Sequence, residues 1–226
     1  VATAGRLVVF EGGEGSGKST QVARLAAALA SRGIAHRALR EPGGTPLGAE
    51  IRQLLLHRDD EMEPRAEALL FMASRAELIT REIGPALGRG EVVLLDRFFL
   101  STYAYQIGGR SLPETEVREA NRLATAGLVP DLTLLLVVSP EAGLARAARR
   151  SSALDRIEST GSTFHRRVAD AFARFAEPEW QRAHPECGPI VSIDASGTEA
   201  EVGGRVARTL AARWPGTFPG VQASDQ

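Results

Sequence analysis

The stretch Val8-Val9-Phe10-Glu11-Gly12-Gly13-Glu14-Gly15-Ser16-Gly17-Lys18-Ser19-Thr20 reads as an apolar strand, a glycine-rich turn and the opening of a helix. Gly12 and Gly17 stand ahead of Lys18 and Ser19 at the spacing of a P-loop, in which backbone N–H groups wrap around a polyphosphate. Glycines allow positive φ and let the backbone approach the ligand, and the helix start turns N–H groups and a positive dipole end toward the anion. Gly12, Gly13, Glu14, Gly15, Ser16, Gly17, Lys18, Ser19 and Thr20 are therefore expected to hold the phosphates of a nucleotide. Within that set Lys18 is expected on the β- and γ-phosphates and the Ser19 hydroxyl on Mg²⁺.

A strand that feeds a P-loop and a helix calls for more units of the same kind, and the rest of the chain supplies them. Arg6 to Glu11, His36 to Arg40, Glu91 to Asp96, Leu132 to Val138 and Ile190 to Asp194 read as strands. Helical periodicity runs over Lys18 to Arg32, Leu47 to Leu56, Pro64 to Leu87, Phe98 to Gln106 and Pro113 to Ala126. It continues over Glu141 to Arg150, Phe164 to Arg182 and Glu199 to Arg213. Alternation of this kind predicts an α/β, three-layer P-loop fold: a five-stranded parallel sheet flanked by helices. With 226 residues, one domain over 1–214 is expected, carrying a short lid at about 149–163 and ending in a frayed tail over 215–226.

Charge narrows the partners. The formal net charge of −1 gives no overall basic field, so neither nucleic acid nor a membrane surface is expected, and an anionic ligand must meet local cations. Leu134 to Val138, the densest apolar stretch, is far too short to span a bilayer. Cys187 is the only cysteine, which rules out an internal disulfide, and the four histidines lack ligand spacing. A cytoplasmic protein is expected.

Several further phrases together resemble the thymidylate kinase family. They are Arg40-Glu41-Pro42-Gly43-Gly44-Thr45, Leu70-Phe71-Met72-Ala73-Ser74-Arg75, Asp96-Arg97 with Ser101-Thr102 and Ala104-Tyr105-Gln106, Gly127 to Thr133, and Leu154-Asp155-Arg156-Ile157-Glu158. The resemblance implies transfer of the γ-phosphoryl of ATP to dTMP, with Mg²⁺ as the metal and a homodimer as the assembly. Another deoxynucleotide or nucleoside kinase, or a P-loop ATPase switch, is the alternative.

The resemblance also implies roles. Lys18, Arg97, Arg150 and Arg156 would be the catalytic cations, Arg149 would join the P-loop residues in binding ATP, and Ser19 with Asp96 would hold the metal. Glu14, Arg40, Phe71, Arg75, Arg97, Thr102, Tyr105 and Gln106 would bind dTMP, the aromatic stacking on thymine and Glu14 lying near the sugar. On the residues alone Phe71 and Tyr105 also read as core, Asp96 as a helix cap, Glu14 as a solvated loop carboxylate and the lid arginines as a solvated face. The chain departs from the family pattern at Phe98, Val137, Ser151 and Phe172.

Overall fold

The computed structural model describes residues 5–57, 60–148, 156–157 and 160–218. Strands β1 (Arg6–Glu11), β2 (His36–Arg40), β3 (Val92–Asp96), β4 (Leu132–Val137) and β5 (Ile190–Asp194) lie in the order β2-β3-β1-β4-β5, and every pairing is parallel. Parallel neighbours need a crossover that returns the chain to the same edge, and helices supply each one. They are α1 (Lys18–Ala30), α2 (Pro46–Leu56), α3 (Pro64–Leu78), α4 (Gly84–Gly88), α5 (Phe99–Thr102), α6 (Glu114–Thr125), α7 (Pro140–Ala148), α8 (Ser162–Arg174), α9 (Pro178–Ala183) and α10 (Glu199–Arg213).

Successive strand residues point to opposite faces of a sheet, and here both faces are apolar. Leu7, Val9, Val93, Leu95 and Leu135 join one core with Ile51 and Leu55 of α2 and Leu78 of α3. Val8, Phe10, Leu94, Leu134 and Leu136 join the other with Val22, Leu25 and Leu29 of α1 and Val202, Val206 and Leu210 of α10. Leu94 is completely buried, and truncating such a side chain to alanine costs about 2–5 kcal/mol. Local chemistry starts the helices where the sheet needs them. Thr45 Oγ1 accepts from Gly48 N at 3.0 Å to open α2, and Thr198 and Glu201 form a reciprocal capping box at the start of α10.

Three features differ from the periodicity reading. The helix expected over Phe164 to Arg182 is two, because Pro178 cannot donate within a helix interior and instead begins α9. π-helical turns follow α3 at Ile79–Ile83 and α5 at Tyr103–Gly109, a widening to which a 3.6-residue pattern is blind. The chain after α10 also stays in the core as far as it is described: Phe218 is fully buried, its ring 6.1 Å from that of Trp214. Residues 219–226 lie outside the described residues. No helix among the described residues is long and apolar enough to cross a membrane.

Candidate active site

Strand register fixes where the polar groups converge. Arg40 pairs with Asp96 across β2 and β3, and Asp96 pairs with Phe10 across β3 and β1, so the loops after these three strands share one carboxyl edge. The chain leaves β1 toward β2 but leaves the adjacent β4 toward β5, and ligand crevices in open α/β sheets form at such divergences. A cavity of about 240 Å³ opens at this edge.

The P-loop forms one end of it. A Cβ on Gly12, at φ +142°, would lie 2.5 Å from the Leu136 carbonyl oxygen, and one on Gly15, at φ +67°, 1.9 Å from that of Gly143. Only glycine fits at either point, so close packing against β4 and α7 dictates the loop's composition. Lys18 is buried, its Nζ donating to Gly12 O at 2.9 Å, Gly13 O at 2.8 Å and Ser16 Oγ at 3.3 Å. Burial, with the nearby Arg97 charge, lowers this ammonium to about 7, against partial opposition from Asp96, Glu11 and Glu14. Gly15, Gly17 and Ser19 line the cavity with Lys18, whereas Gly12, Gly13, Ser16 and Thr20 are not among its lining residues.

Ser19 Oγ donates to Asp96 Oδ2. Asp96 Oδ1 is buried and, among the described residues, is one of only two buried side-chain polar atoms with no hydrogen-bond partner. A hydroxyl beside a carboxylate with an unspent oxygen suits a small hard cation, and among the described residues no group of three or more acids, histidines or cysteines is placed to hold a metal ion. That donor set fits Mg²⁺ shared with a nucleotide's phosphates and does not amount to an all-protein cage.

Glu11 builds the adjoining corner. Its carboxylate accepts from Phe98 N at 2.6 Å, Ser101 N at 3.0 Å and Ser101 Oγ at 2.7 Å. These bonds hold the turn in which Arg97 adopts φ +71°, a left-handed conformation uncommon for a residue with a side chain. The turn sends the Arg97 guanidinium into the cavity, where it lies 5.4 Å from the Tyr105 ring centroid and donates to Ser101 Oγ at 3.0 Å. Burial works against its charge, but Tyr105, Asp96, Glu11 and Glu14 outweigh that effect and hold it protonated. Tyr105 is pushed up to about 12, chiefly by burial, so its neutral hydroxyl donates to Glu14 Oε1 at 3.4 Å.

Away from the P-loop segment, Phe71 of α3, Thr102 of α5, and Tyr105 and Gln106 of the π-helical turn line the same cavity, as do Arg40 and the P-loop's own Glu14. Arg75 also touches the cavity, but its five N–H donors are spent inside the protein. Nε and Nη2 bond Glu41, Nη2 reaches Phe98 O at 2.9 Å, and Nη1 reaches Thr102 Oγ1 at 3.0 Å and Asn121 Oδ1 at 2.6 Å. Arg156 is not brought to the P-loop. Its Nη2 donates to Glu67 Oε2 at 2.7 Å and its Nε to Leu55 O at 2.8 Å. Arg149, Arg150 and Ser151 lie outside the described residues. Of the departures from the family pattern, Phe98 packs under the Arg75 guanidinium at 4.9 Å, Phe172 packs on Tyr105 at 6.3 Å, and Val137 is exposed at the end of β4.

Four participants were not singled out from the sequence. Arg52 lines the cavity and donates to Pro42 O at 3.0 Å; Gly48, Arg52 and Leu56 at helical spacing were the available signal. Glu67 shares the i, i+4 face of Phe71 and Arg75, a carboxylate in an apolar stretch that such spacing could have exposed. Ser101 and Asn121 serve as partners of Arg97 and Arg75; Ser101 stood in the Ser101-Thr102 phrase without a role of its own, and nothing local marks Asn121.

The thymidylate kinase family model matches residues 10–185, which include the P-loop, the Asp96-Arg97 corner and the π-helical turn. A thymidylate kinase of Synechococcus sp. (strain JA-2-3B'a(2-13)) is 48% identical over 208 residues, covering 92% of this chain and 95% of the relative. One from Deinococcus radiodurans is 46% identical over 198 residues, covering 88% and 92%, and one from Leifsonia xyli subsp. xyli 49% over 176 residues, covering 77% and 84%. The matched segment holds both ends of the cavity and relatives of this identity run nearly the full length of the chain, so the chain belongs to the thymidylate kinase family.

Proposed function

We propose that this kinase transfers the γ-phosphoryl group of ATP to the phosphate of dTMP, giving dTDP and ADP. The observation that carries the reading is a single cavity with a P-loop at one end, an aromatic and amide wall at the other, and Arg40, Arg52 and Arg97 lining the same space. An acceptor phosphate oxygen is already ionised near neutral pH, so the reaction needs no general base. An oxygen of dTMP attacks the γ-phosphorus, the bond to the β-phosphate oxygen breaks, and ADP carries away that electron pair. Two anions must be brought end to end, and the barrier falls through alignment and charge neutralisation.

In this reading Lys18 and the P-loop amides take the β- and γ-phosphates, and Arg97 draws the acceptor phosphate toward them. Arg40 and Arg52 hold that phosphate from the side of β2 and α2. Phe71 stacks on the base, Thr102, Tyr105 and Gln106 border it, and Glu14, tied to Tyr105, faces the sugar. Arg75 shapes this wall through the bonds it makes within the protein. Ser19 and Asp96 would hold Mg²⁺, which supplies neutralisation of the ATP phosphate charge. We place the reaction in the cytoplasm. A second copy covering Leu54 of α2 and Leu69 of α3, both exposed, makes the proposed homodimer.

ADP release, coupled to an optical readout, tests the assignment with dTMP, dUMP, dCMP, dGMP and thymidine offered in turn. Turnover greatest with dTMP and dependent on added Mg²⁺ is expected. ADP formation indifferent to any acceptor would point to an ATPase switch, and preference for a purine acceptor would overturn the substrate.

A further inference from the structure

Glu67 is fully buried on α3, outside the phosphate machinery, yet three side chains from two other segments meet on its carboxylate. Arg110 clamps it in bidentate fashion, Nε to Oε1 at 3.1 Å and Nη2 to Oε2 at 2.9 Å, and Arg156 Nη2 adds a third cationic contact at 2.7 Å. The remaining contact is with Gln106, whose Nε2 donates to Oε1 at 3.2 Å. Burial opposes the carboxylate's charge, but the two guanidinium groups prevail and hold it below the usual carboxylate range. An ionised carboxylate only accepts, so the Gln106 amide has one permitted orientation here: NH₂ toward Glu67 and carbonyl oxygen away from it.

Gln106 is itself 1% exposed and lines the cavity at the wall assigned above to the acceptor base. Thymine and uracil present a ring N–H beside a carbonyl, whereas cytosine presents a ring acceptor beside an amino group. A glutamine free to flip serves either edge by exchanging its oxygen and nitrogen. Flipping Gln106 would press its carbonyl oxygen against the Glu67 carboxylate.

We propose that Glu67, clamped by Arg110 and Arg156, is a specificity-determining positioning residue that locks the polarity of the Gln106 amide and so selects a pyrimidine bearing a ring N–H over cytosine. The inference rests on the dTMP reading of the same cavity. It also gives Arg156 a place on the acceptor side: this arginine anchors the segment around Ile157, whose side chain lines the cavity, to the helix that carries Phe71. The C5 methyl group is not read by this amide, so Glu67 contributes to rejection of dCMP and not to the choice between dTMP and dUMP.

The test measures kcat and KM for dTMP, dUMP and dCMP in the full-length enzyme and in Glu67→Gln, Gln106→Met and the double variant. Glu67→Gln keeps the side chain's shape but presents either polarity to Gln106. The expected result is a fall of about tenfold or more in the dTMP:dCMP ratio of kcat/KM, with KM for dTMP rising more than kcat falls. The dTMP:dUMP ratio stays within about twofold, and Glu67→Gln adds less than about twofold to the ratio in the Gln106→Met background. A general packing defect would move all three acceptors together. If Glu67→Gln does not fold, Arg156→Met, which removes one clamp at a partly exposed site, is held to the same ratios, and Arg156→Lys should restore most of the effect. A dTMP:dCMP ratio within about threefold of the parent in the folded variant overturns the inference while leaving the dTMP assignment standing. Failure of the parent to use any deoxypyrimidine monophosphate would instead defeat the reading on which it rests.

Discussion

The cavity's two ends use positive charge differently. At the P-loop end, backbone amides and Lys18 surround the space from one continuous segment, and the glycines are fixed by packing against Leu136 and Gly143. At the acceptor end, arginines arrive from separate elements and divide into two sets. Arg40, Arg52 and Arg97 line the cavity, whereas Arg75, which also borders it, joins Arg110 and Arg156 in giving donors to buried Glu41 and Glu67. On the proposed reading the first set meets phosphate, while the second holds the wall in shape. The difference teaches that an arginine's place in a family motif does not say whether its charge is spent on substrate or on protein.

The sharpest way to break that division is to remove cations from the reacting set. Lys18→Met and Arg97→Ala should each lower kcat/KM by about 10²-fold or more, with thermal unfolding close to the parent's. Neither leaves a buried carboxylate without its only partner. A loss of a few-fold in either variant would remove that residue from the phosphate machinery.

Arg75 should behave in the opposite manner. Arg75→Met leaves Glu41 buried without its guanidinium partner, at a cost of about 3–5 kcal/mol of stability, readable as a lower denaturant midpoint. If stability is unchanged and only KM for dTMP rises, Arg75 belongs with the substrate-facing set.

Phe71→Ala gives a smaller and more selective effect. Base-on-aromatic stacking is worth about 1–3 kcal/mol, so KM for dTMP should rise between about fivefold and 150-fold while KM for ATP stays within about twofold. A parallel rise in both constants would make Phe71 a packing residue of the core it borders.

How much was legible follows the same line. The P-loop is local in sequence, so Gly12 to Thr20 announced its own geometry, and the alternation of strands with helices announced the parallel sheet. Asp96 and Arg97 were readable as the end of an apolar strand. The acceptor wall was legible as a set of residues but not as a set of bonds. Whether Arg75 points its donors at a nucleotide or at Glu41, Thr102 and Asn121 depends on contacts spanning tens of residues, which periodicity does not encode. The partner of Arg156 was illegible for the same reason: its Asp-Arg-Ile-Glu setting carries no sign of the bond to Glu67 that the fold gives it. The π-helical turn aims Tyr105 and Gln106 by widening the helix, again beyond any count of spacing. Pro178 is the local signal for the break between α8 and α9, which the apolar periodicity on either side masks.

The mildest probe of the comparison is pH, because it weakens the P-loop end without changing a residue. Burial and the neighbouring Arg97 charge hold the Lys18 ammonium at about 7 in the free protein, while Arg97 itself is held protonated by the acidic groups around it. The protonated lysine is the form that attracts a triphosphate, and a group lowered in this way loses its proton as pH rises through 7. The kcat/KM for ATP reports the free enzyme and should therefore fall by about tenfold from pH 6 to pH 8. The kcat should fall less over the same range, because bound phosphates favour the charged lysine and lift its titration to higher pH. KM for dTMP, measured at saturating ATP, should move little, since the acceptor cations are arginines. A kcat/KM for ATP that is flat across this range would mean that Lys18 keeps its proton without help from the nucleotide; an equal fall for both substrates would mean that the two ends of the cavity share their charge after all.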